Sequence, residues 1–213
     1  MWNENGLVEI LQFLFLLLAI CYLIYIVKVY KGKLNQTINI FLIINICGLL
    51  YFAGEEVSWG QHFFNWNSPE IFRELNNQKE TNLHNISNLF DQLPRTLVMI
   101  WCSISVIFVL FLKNFYLLNN KFYEIVIPNR KLLIISILLL IFLIPDIIVD
   151  KFDLHSGYVT SEGIDIPEAK FWDLISLNFI RLSELHEYIF SFYFLLYSMM
   201  LKENIKKNIT KYS

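Results

Sequence analysis

Residues 6–27 read GLVEILQFLFLLLAICYLIYIV, an apolar run in which only Glu9 and Gln12 carry a charge or an amide. A helix of that length rises about 33 Å, at about 1.5 Å per residue, which covers the roughly 30 Å hydrocarbon core of a bilayer. No basic residue precedes the run, and no small-residue cleavage site follows it. We therefore expect a retained transmembrane helix here rather than a signal peptide.

Four further segments have the length or the pattern of transmembrane helices: 37–54, 96–112, 132–149 and 174–201. The 213 residues are 56% hydrophobic and 17% charged, whereas a soluble domain carries about a quarter charged residues. The sequence predicts an all-α integral membrane protein, one membrane domain over residues 1–213 with a bundle of about five transmembrane helices. The outer loops would be 55–94, containing short interfacial helices, and 150–173.

Lysine and arginine are sorted to one side of this topology. The loop after the first span, the loop between the third and fourth spans, and the C-terminal tail hold Lys28, Lys31, Lys33, Lys113, Lys121, Arg130, Lys131, Lys202, Lys206, Lys207 and Lys211. Because cytoplasmic loops are enriched in such residues, we expect a multi-pass protein of the inner (plasma) membrane. Its N-terminus would lie outside and its C-terminus in the cytoplasm. Nearly all acidic residues, and all four histidines, then fall on the outer side.

Residues 54–94, GEEVSWGQHFFNWNSPEIFRELNNQKETNLHNISNLFDQLP, are the most informative connection. The aromatic residues suit the headgroup level of a membrane. If the second helix continues past Gly54, the side chains of Glu55, Ser58 and His62 share one stripe, and Glu56 points about 100° away. Farther on, Glu80 and His84 are four residues apart, a helical spacing that would let both side chains meet one metal ion.

The fifth span places Glu184 and Glu187 on one broad face together with Arg181. A charged carboxylate at membrane depth costs roughly 2.5–3.5 kcal/mol, so it is retained where it is paired, binds a cation or faces water. Histidine with carboxylates suits zinc, or iron where carboxylates dominate. Two plainer interpretations stay open: an internal Arg181–Glu184 salt bridge, and a solvated helix face carrying Glu80 and His84.

Two family resemblances follow from these motifs. Gly54–Gln61 (GEEVSWGQ), with residues 80–85 (ETNLHN) and the later Ser183-Glu184-x-x-Glu187, resembles a group of small multi-pass bacterial membrane proteins of unassigned function. That likeness implies a membrane location and no particular activity.

The second resemblance rests on Ser58-x-x-x-His62 and on Asp91-Gln92-Leu93-Pro94, which are similar to the alkaline ceramidase group of membrane hydrolases. In that group a serine, an aspartate and three histidines surround a zinc-bound water. The resemblance implies that Ser58 assists, His62 binds zinc, Asp91 orients the water and His186 is the late histidine. The chain departs from the group in having about five predicted spans rather than seven. It also has Phe190 where a second late histidine would stand.

The sequence thus suggests a membrane-embedded metal-dependent hydrolase that acts on a lipid amide or ester at the outer face. The expected catalytic residues are Glu56, Ser58 and Asp91, and the expected ligands of a zinc ion, with iron less favoured, are Glu80, His84, Glu184, Glu187 and His62. The expected partners are the lipid bilayer and a lipid substrate, and no nucleic acid. The alternative is a non-enzymatic accessory, scaffold or transport component whose polar cluster is structural.

Overall fold

The computed structural model describes residues 7–64, 66–75, 80–83, 86, 88–111, 121–151 and 182–212. In this part of the chain every regular element is helical and there is no strand, which confirms the all-α prediction. The helices are α1 (Leu7–Val29), α2 (Gln36–Glu56), α3 (Gln61–Phe64), α4 (Glu70–Leu75), α5 (Asn88–Leu110), α6 (Lys121–Val126), α7 (Arg130–Lys151) and α8 (Leu182–Tyr212). A single 3-10 turn, Ser58–Gly60, joins α2 to α3.

The predicted segments 6–27, 37–54 and 132–149 correspond closely to α1, α2 and α7. The segment 174–201 corresponds to α8, which continues to Tyr212, while residues 174–181 lie outside the described chain. Nearly all of the predicted outer loop 150–173 lies outside it as well. The short helices expected in the first outer loop are present as α3 and α4.

Helix α5 begins before the predicted third span. The span was expected at residues 96–112, whereas α5 already begins at Asn88, carries Pro94 inside it and has its apolar part at Thr96–Leu110. A proline removes one backbone donor, so the helix loses the bond that this N–H would give to the carbonyl of Phe90. The remaining turns continue on both sides of that position, so the helix includes the last residues of the predicted outer loop 55–94.

The long helices pack side by side: α1 lies between α2 and α8, and α7 lies between α5 and α8. Aromatic rings join the remaining neighbours, since Phe41 of α2 contacts Trp101 of α5, which in turn contacts Tyr197 of α8. The buried core runs along these contacts and includes Leu16, Ile26, Leu42, Leu49, Cys102, Leu139, Tyr193, Tyr197 and Leu201.

The ring contacts also fix the relative directions of the helices. Phe15 of α1 contacts Tyr188 and Phe192 early in α8, and the Lys202 ammonium of α8 lies over the ring of Tyr25 late in α1. These two helices therefore run in the same direction. By contrast, Phe52 near the end of α2 contacts Phe190 near the start of α8, so α2 runs opposite to both.

Helix α6 is held against α8 by hydrogen bonds to its last carbonyls. The Tyr197 hydroxyl donates to the carbonyl of Val126 at 2.7 Å, and the Asn204 side chain donates to the carbonyl of Ile125 at 3.0 Å. The last carbonyls of a helix have no partner within it, so donors from a neighbouring helix satisfy them. This fixes the α6–α7 connection on the flank of α8.

Within the described residues, two helices are long and apolar enough to cross a membrane: Ile10–Val29 and Gln36–Glu56. Thr96–Leu110 is a shorter apolar helix. The two longer helices are candidate spans by length and composition.

Candidate functional site

The end of α2 is an abrupt turn built from left-handed backbone. After Glu56 the chain takes positive φ angles at Ser58 (45°), Trp59 (55°) and Gly60 (94°). Residues with a Cβ pay about 1–2 kcal/mol each for this conformation, whereas glycine adopts it freely. The condition under which Glu55, Ser58 and His62 would share one helix stripe is therefore not met, because the helix breaks at this turn and restarts at Gln61.

The turn folds the Trp59 indole back over α2. A Cβ added at Gly54 would lie 2.9 Å from the ring, so the ring rests directly on the glycine backbone. The indole N–H donates to Glu55 Oε1 at 2.7 Å. Gly54, Glu55 and Trp59 therefore act together, and the glycine is required by the close approach of the ring.

The left-handed turn brings the chain against residues 80–83, which belong to the second quoted motif. The Leu83 backbone N–H donates to Glu55 Oε2 at 2.7 Å, so both oxygens of this carboxylate accept hydrogen bonds. The Ser58 hydroxyl donates to Glu80 Oε2 at 3.0 Å. The Asn82 amide donates to the same Glu80 oxygen at 2.6 Å and to Ser58 Oγ at 3.2 Å.

A second group of hydrogen bonds centres on Gln61 at the start of α3. Its side-chain oxygen accepts from the Thr81 backbone N–H at 2.7 Å, from the Thr81 hydroxyl at 2.9 Å and from the Ser68 hydroxyl at 3.2 Å. We call the residues that join these segments the polar cluster: Glu55, Ser58, Gln61, Ser68, Glu80, Thr81, Asn82 and the Leu83 amide.

Burial makes the polar cluster energetically important. Glu55 is only 6% exposed, and Ser58 and Asn82 are each 1% exposed. A buried polar group without a partner costs about 1–3 kcal/mol, and a buried charge costs more. The hydrogen bonds described above meet that requirement, because the two carboxylates receive donors from opposite sides of the junction. The cluster therefore fixes residues 80–83 on the end of α2.

The spacing of Glu80 and His84 does not belong to a helix at its first residues. Residues 80–83 are not helical, and His84 lies outside the described residues. Glu80 faces Ser58, a contact between two residues that the sequence analysis had assigned to the site for separate reasons. The physical reason is that the Glu80 carboxylate accepts from the Ser58 hydroxyl of the α2 turn, while the Asn82 amide donates to the oxygen of that hydroxyl.

Glu56 and Glu187 belong to the same end of the packed helices. Phe52 of α2 and Phe190 of α8 have ring centroids 4.8 Å apart. Glu56 lies one helical turn beyond Phe52, and Glu187 lies one turn before Phe190. Because α2 and α8 run in opposite directions, both steps lead towards the end where the polar cluster lies. Both carboxylates are half-buried.

The remaining predicted site residues lie outside the described part of the structure. This holds for all of His84 and for the side chains of His62, Asp91 and Glu184. Across the residues that are described, no group of three or more His, Cys, Asp or Glu side chains is placed to hold a metal ion. Glu55 is a poor ligand in this arrangement because each of its oxygens already accepts a hydrogen bond.

Sequence reasoning gave too little weight to Glu55, Gln61, Thr81 and Asn82. Glu55 was placed on the helix stripe, but Glu56 was preferred as the functional residue. The signal that could have identified Glu55 is the tryptophan four residues later, since an indole N–H at that spacing can reach a carboxylate. The partners of Gln61 are Ser68, seven residues away, and Thr81, twenty residues away, and no helical or strand repeat points to either of them.

Comparisons of the chain with protein-family models, with curated proteins and with solved structures find no match. Both family resemblances stay predictions, and a function has to be inferred from the geometry of the chain itself.

Proposed function

We propose that the chain is an integral membrane protein of about five spans, α1, α2, α5, α7 and α8, with its N-terminus outside and its C-terminus in the cytoplasm. The exposed apolar faces of the candidate spans support this. In the apolar stretch of α2, only 22% of the residues are buried, and the side chain of Ile44 is 63% exposed. Water would penalise such a surface by about 25 cal/mol per Å², whereas lipid would not.

The directions of the helices give independent support for this topology. Five alternating crossings require α1 and α8 to run the same way and α2 to run the opposite way. The contacts of Phe15, Phe52 and Phe190 have that arrangement. Together with the sorting of lysine and arginine, this supports the proposed position of the polar cluster at the outer face.

We further propose that the outer end of these helices is the active site of a metal-dependent hydrolase that acts on a lipid amide or ester. The observation that carries this is the assembly of three chain segments at one end: the α2 end with Glu56, residues 80–83, and the start of α8 with Glu187. His84 directly follows Leu83, whose backbone is anchored to Glu55. Anchoring of this kind is what a ligand needs for a defined position.

The contacts divide the candidate residues by role. Ser58, Glu80 and Asn82 bond to one another, and Glu55 accepts from the Leu83 amide, so these residues position the loop. Ser58 therefore acts as a positioning residue rather than as a nucleophile. His84, with Glu184 and Glu187, would hold the ion, and a zinc ion there would polarise the substrate carbonyl and acidify water. Glu56 would accept the proton of the attacking water. The C–N or C–O bond then breaks, and the proton passes to the leaving amine or alcohol.

A second candidate function is favoured by a different observation. Both oxygens of Glu55 are satisfied within the chain, and no three-residue metal group occurs among the described residues. This arrangement suits a structural cluster in a non-enzymatic accessory or scaffold protein. In that case His84 and Glu187 would not bind a common metal ion.

Metal analysis of the full-length protein, purified in detergent from cells grown with zinc, distinguishes the two functions. We expect about one zinc per chain in the wild type. His84→Ala and Glu187→Gln should lose the zinc while tryptophan fluorescence and elution volume remain unchanged. His155→Ala, which removes a histidine of the second predicted outer loop, is the matched control and should retain it.

Hydrolysis of fluorogenic acyl amides and esters in mixed micelles should fall together with the zinc content. If the wild-type protein carries no zinc or iron after purification without chelators, the proposed hydrolase function is wrong. The non-enzymatic function would then stand.

A further inference from the structure

An apolar surface lies beside the polar cluster on α3, α4 and the turns that flank them. Its members are Trp59, Phe63, Phe64, Trp66, Ile71 and Leu75, and each is more than 40% exposed. We call this the outer apolar surface. Phe64 is 76% exposed and its ring stacks on that of Trp66, with centroids 5.9 Å apart. Single exposed apolar side chains are ordinary, but six of them within residues 59–75, two with stacked rings, indicate an interaction surface.

The surface is a built feature of the fold. The stacked rings of Phe64 and Trp66 rest on Gly60, where an added Cβ would lie within 3.3 Å of Trp66. The left-handed φ of Gly60 turns the chain so that α3 projects from the end of α2. In α4, Ile71 and Leu75 share one stripe and Arg73 lies opposite it, while Glu70 and Glu74 lie about 120° and about 80° to one side, so this short helix is amphipathic.

The level of the surface follows from the length of α2. Its 21 residues rise about 31 Å, which equals the thickness of the hydrocarbon core, so the turn that follows α2 falls at the hydrocarbon boundary. Phe63 contacts Phe13, which lies about one turn inside the start of the candidate span of α1, with ring centroids 5.8 Å apart. The surface is thus continuous with the exposed apolar faces of α1 and α2.

We propose that the outer apolar surface is inserted among the phospholipid headgroups of the outer leaflet and holds the polar cluster at that depth. Tryptophan favours this level because the ring is apolar and the indole N–H is polar. The proposal rests on the proposed membrane orientation and does not depend on the hydrolase chemistry. Its consequence for that chemistry is that a lipid carbonyl, which lies at the same depth, reaches the cluster without leaving the bilayer.

Spin labels on the full-length protein test the insertion. In a background with Cys21→Ser, Cys47→Ser and Cys102→Ala, a nitroxide is attached at Phe64→Cys, at Ile71→Cys or at the control position Glu74→Cys. The protein is reconstituted in vesicles of phosphatidylethanolamine and phosphatidylglycerol. Accessibility to oxygen, which partitions into lipid, is compared with accessibility to a water-soluble nickel chelate.

We expect a severalfold higher oxygen-to-nickel ratio at Phe64 and Ile71 than at Glu74, with a depth close to the phosphate level. A ratio equal to that at Glu74 would place the surface in water and overturn the proposal. Low access to both reagents would show that protein covers the surface, whether a second copy or another segment of this chain, and would also overturn it. Neither result depends on the zinc content of the protein. The insertion proposal can therefore fail while the hydrolase proposal stands, and the reverse.

Discussion

The Ser58 hydroxyl donates a hydrogen bond at 3.0 Å to Glu80, which lies 22 positions farther along the chain. Closing a loop of that length costs conformational entropy, and Ser58 also pays for a left-handed φ of 45°. Both costs have to be offset by the contacts that the closed loop makes. The shared Asn82 amide, the Leu83–Glu55 bond and the Gln61–Thr81 bonds supply that stabilisation.

The first prediction concerns the coupling of Ser58 and Glu80. Ser58→Ala should lower the free energy of unfolding by about 1–3 kcal/mol, because the Glu80 carboxylate and the buried Asn82 amide each lose one hydrogen bond. In a double-mutant cycle with Glu80→Ala, the two losses should be less than additive. The measurement is unfolding in detergent, followed by tryptophan fluorescence.

Ser198→Ala is the matched control for this cycle. Ser198 is equally buried, but its hydroxyl donates to the Phe194 carbonyl within the same helix. Removing that hydroxyl should therefore lower the free energy of unfolding by less than Ser58→Ala does. Strict additivity of Ser58→Ala and Glu80→Ala would show that the two residues do not act together.

The second prediction separates two adjacent carboxylates. Glu55→Gln places an amide donor against either the Trp59 indole N–H or the Leu83 N–H. It should therefore lower the free energy of unfolding by about 1.5–3 kcal/mol. Glu56→Gln, at a half-buried position, should have a smaller effect on unfolding but should abolish hydrolysis if Glu56 is the base. Equal destabilisation by the two variants would contradict the role assigned to Glu55.

The sequence was most informative where structure depends on local pattern. The apolar runs located α1, α2 and α7 within about two residues, because length and hydrophobicity alone determine such helices. Helix α5 begins at Asn88, ahead of its apolar part, because a hydrophobic run indicates the span and not the more polar first turns of the helix. The end of α8 was missed because its last turns carry lysines but still bury Ile205, which packs into the core.

The candidate site was less predictable for a different reason. The motifs around Glu55 and around Glu80 were both recognised, but each was interpreted as a helical repeat. Helical spacing is a local property, whereas the observed bonds join residues 20 to 28 positions apart. The deciding feature is the left-handed backbone of Ser58 and Trp59, and neither residue type signals that conformation in a sequence.

The third prediction compares two stacked tyrosines in the core of α8. Both are essentially fully buried, and the Tyr197 hydroxyl donates to the Val126 carbonyl at 2.7 Å. The Tyr193 hydroxyl lies beside Cys102, Ser105 and Ser136, but none of these contacts within the described residues has the distance and angles of a well-formed hydrogen bond.

Tyr197→Phe should therefore lower the free energy of unfolding by about 1–2 kcal/mol, because it leaves a buried carbonyl unsatisfied. Tyr193→Phe should be neutral or stabilising. Thermal unfolding of the two variants side by side is the measurement, and the reverse order of stability would refute the assignment.

The last prediction uses two glycines of the same helix. At Gly54 an added Cβ would lie 2.9 Å from the Trp59 ring, whereas at Gly48 nothing lies within 4 Å. The Trp59 ring cannot move aside freely, because its N–H is bonded to Glu55. Gly54→Ala should therefore lower the free energy of unfolding by about 1–3 kcal/mol, the usual cost of overpacking. It should also shift Trp59 emission towards that of an indole in water.

Gly48→Ala is the matched control, and it should raise the free energy of unfolding where Gly54→Ala lowers it. Replacing an interior helical glycine by alanine gains about 0.5–1 kcal/mol where the new methyl group meets no obstacle. The same substitution, six residues apart in α2, is thus expected to stabilise at one position and to destabilise at the other. If both variants were stabilised, the Trp59 ring would not rest on Gly54, and the left-handed turn that places Ser58 against Glu80 would lose its main support.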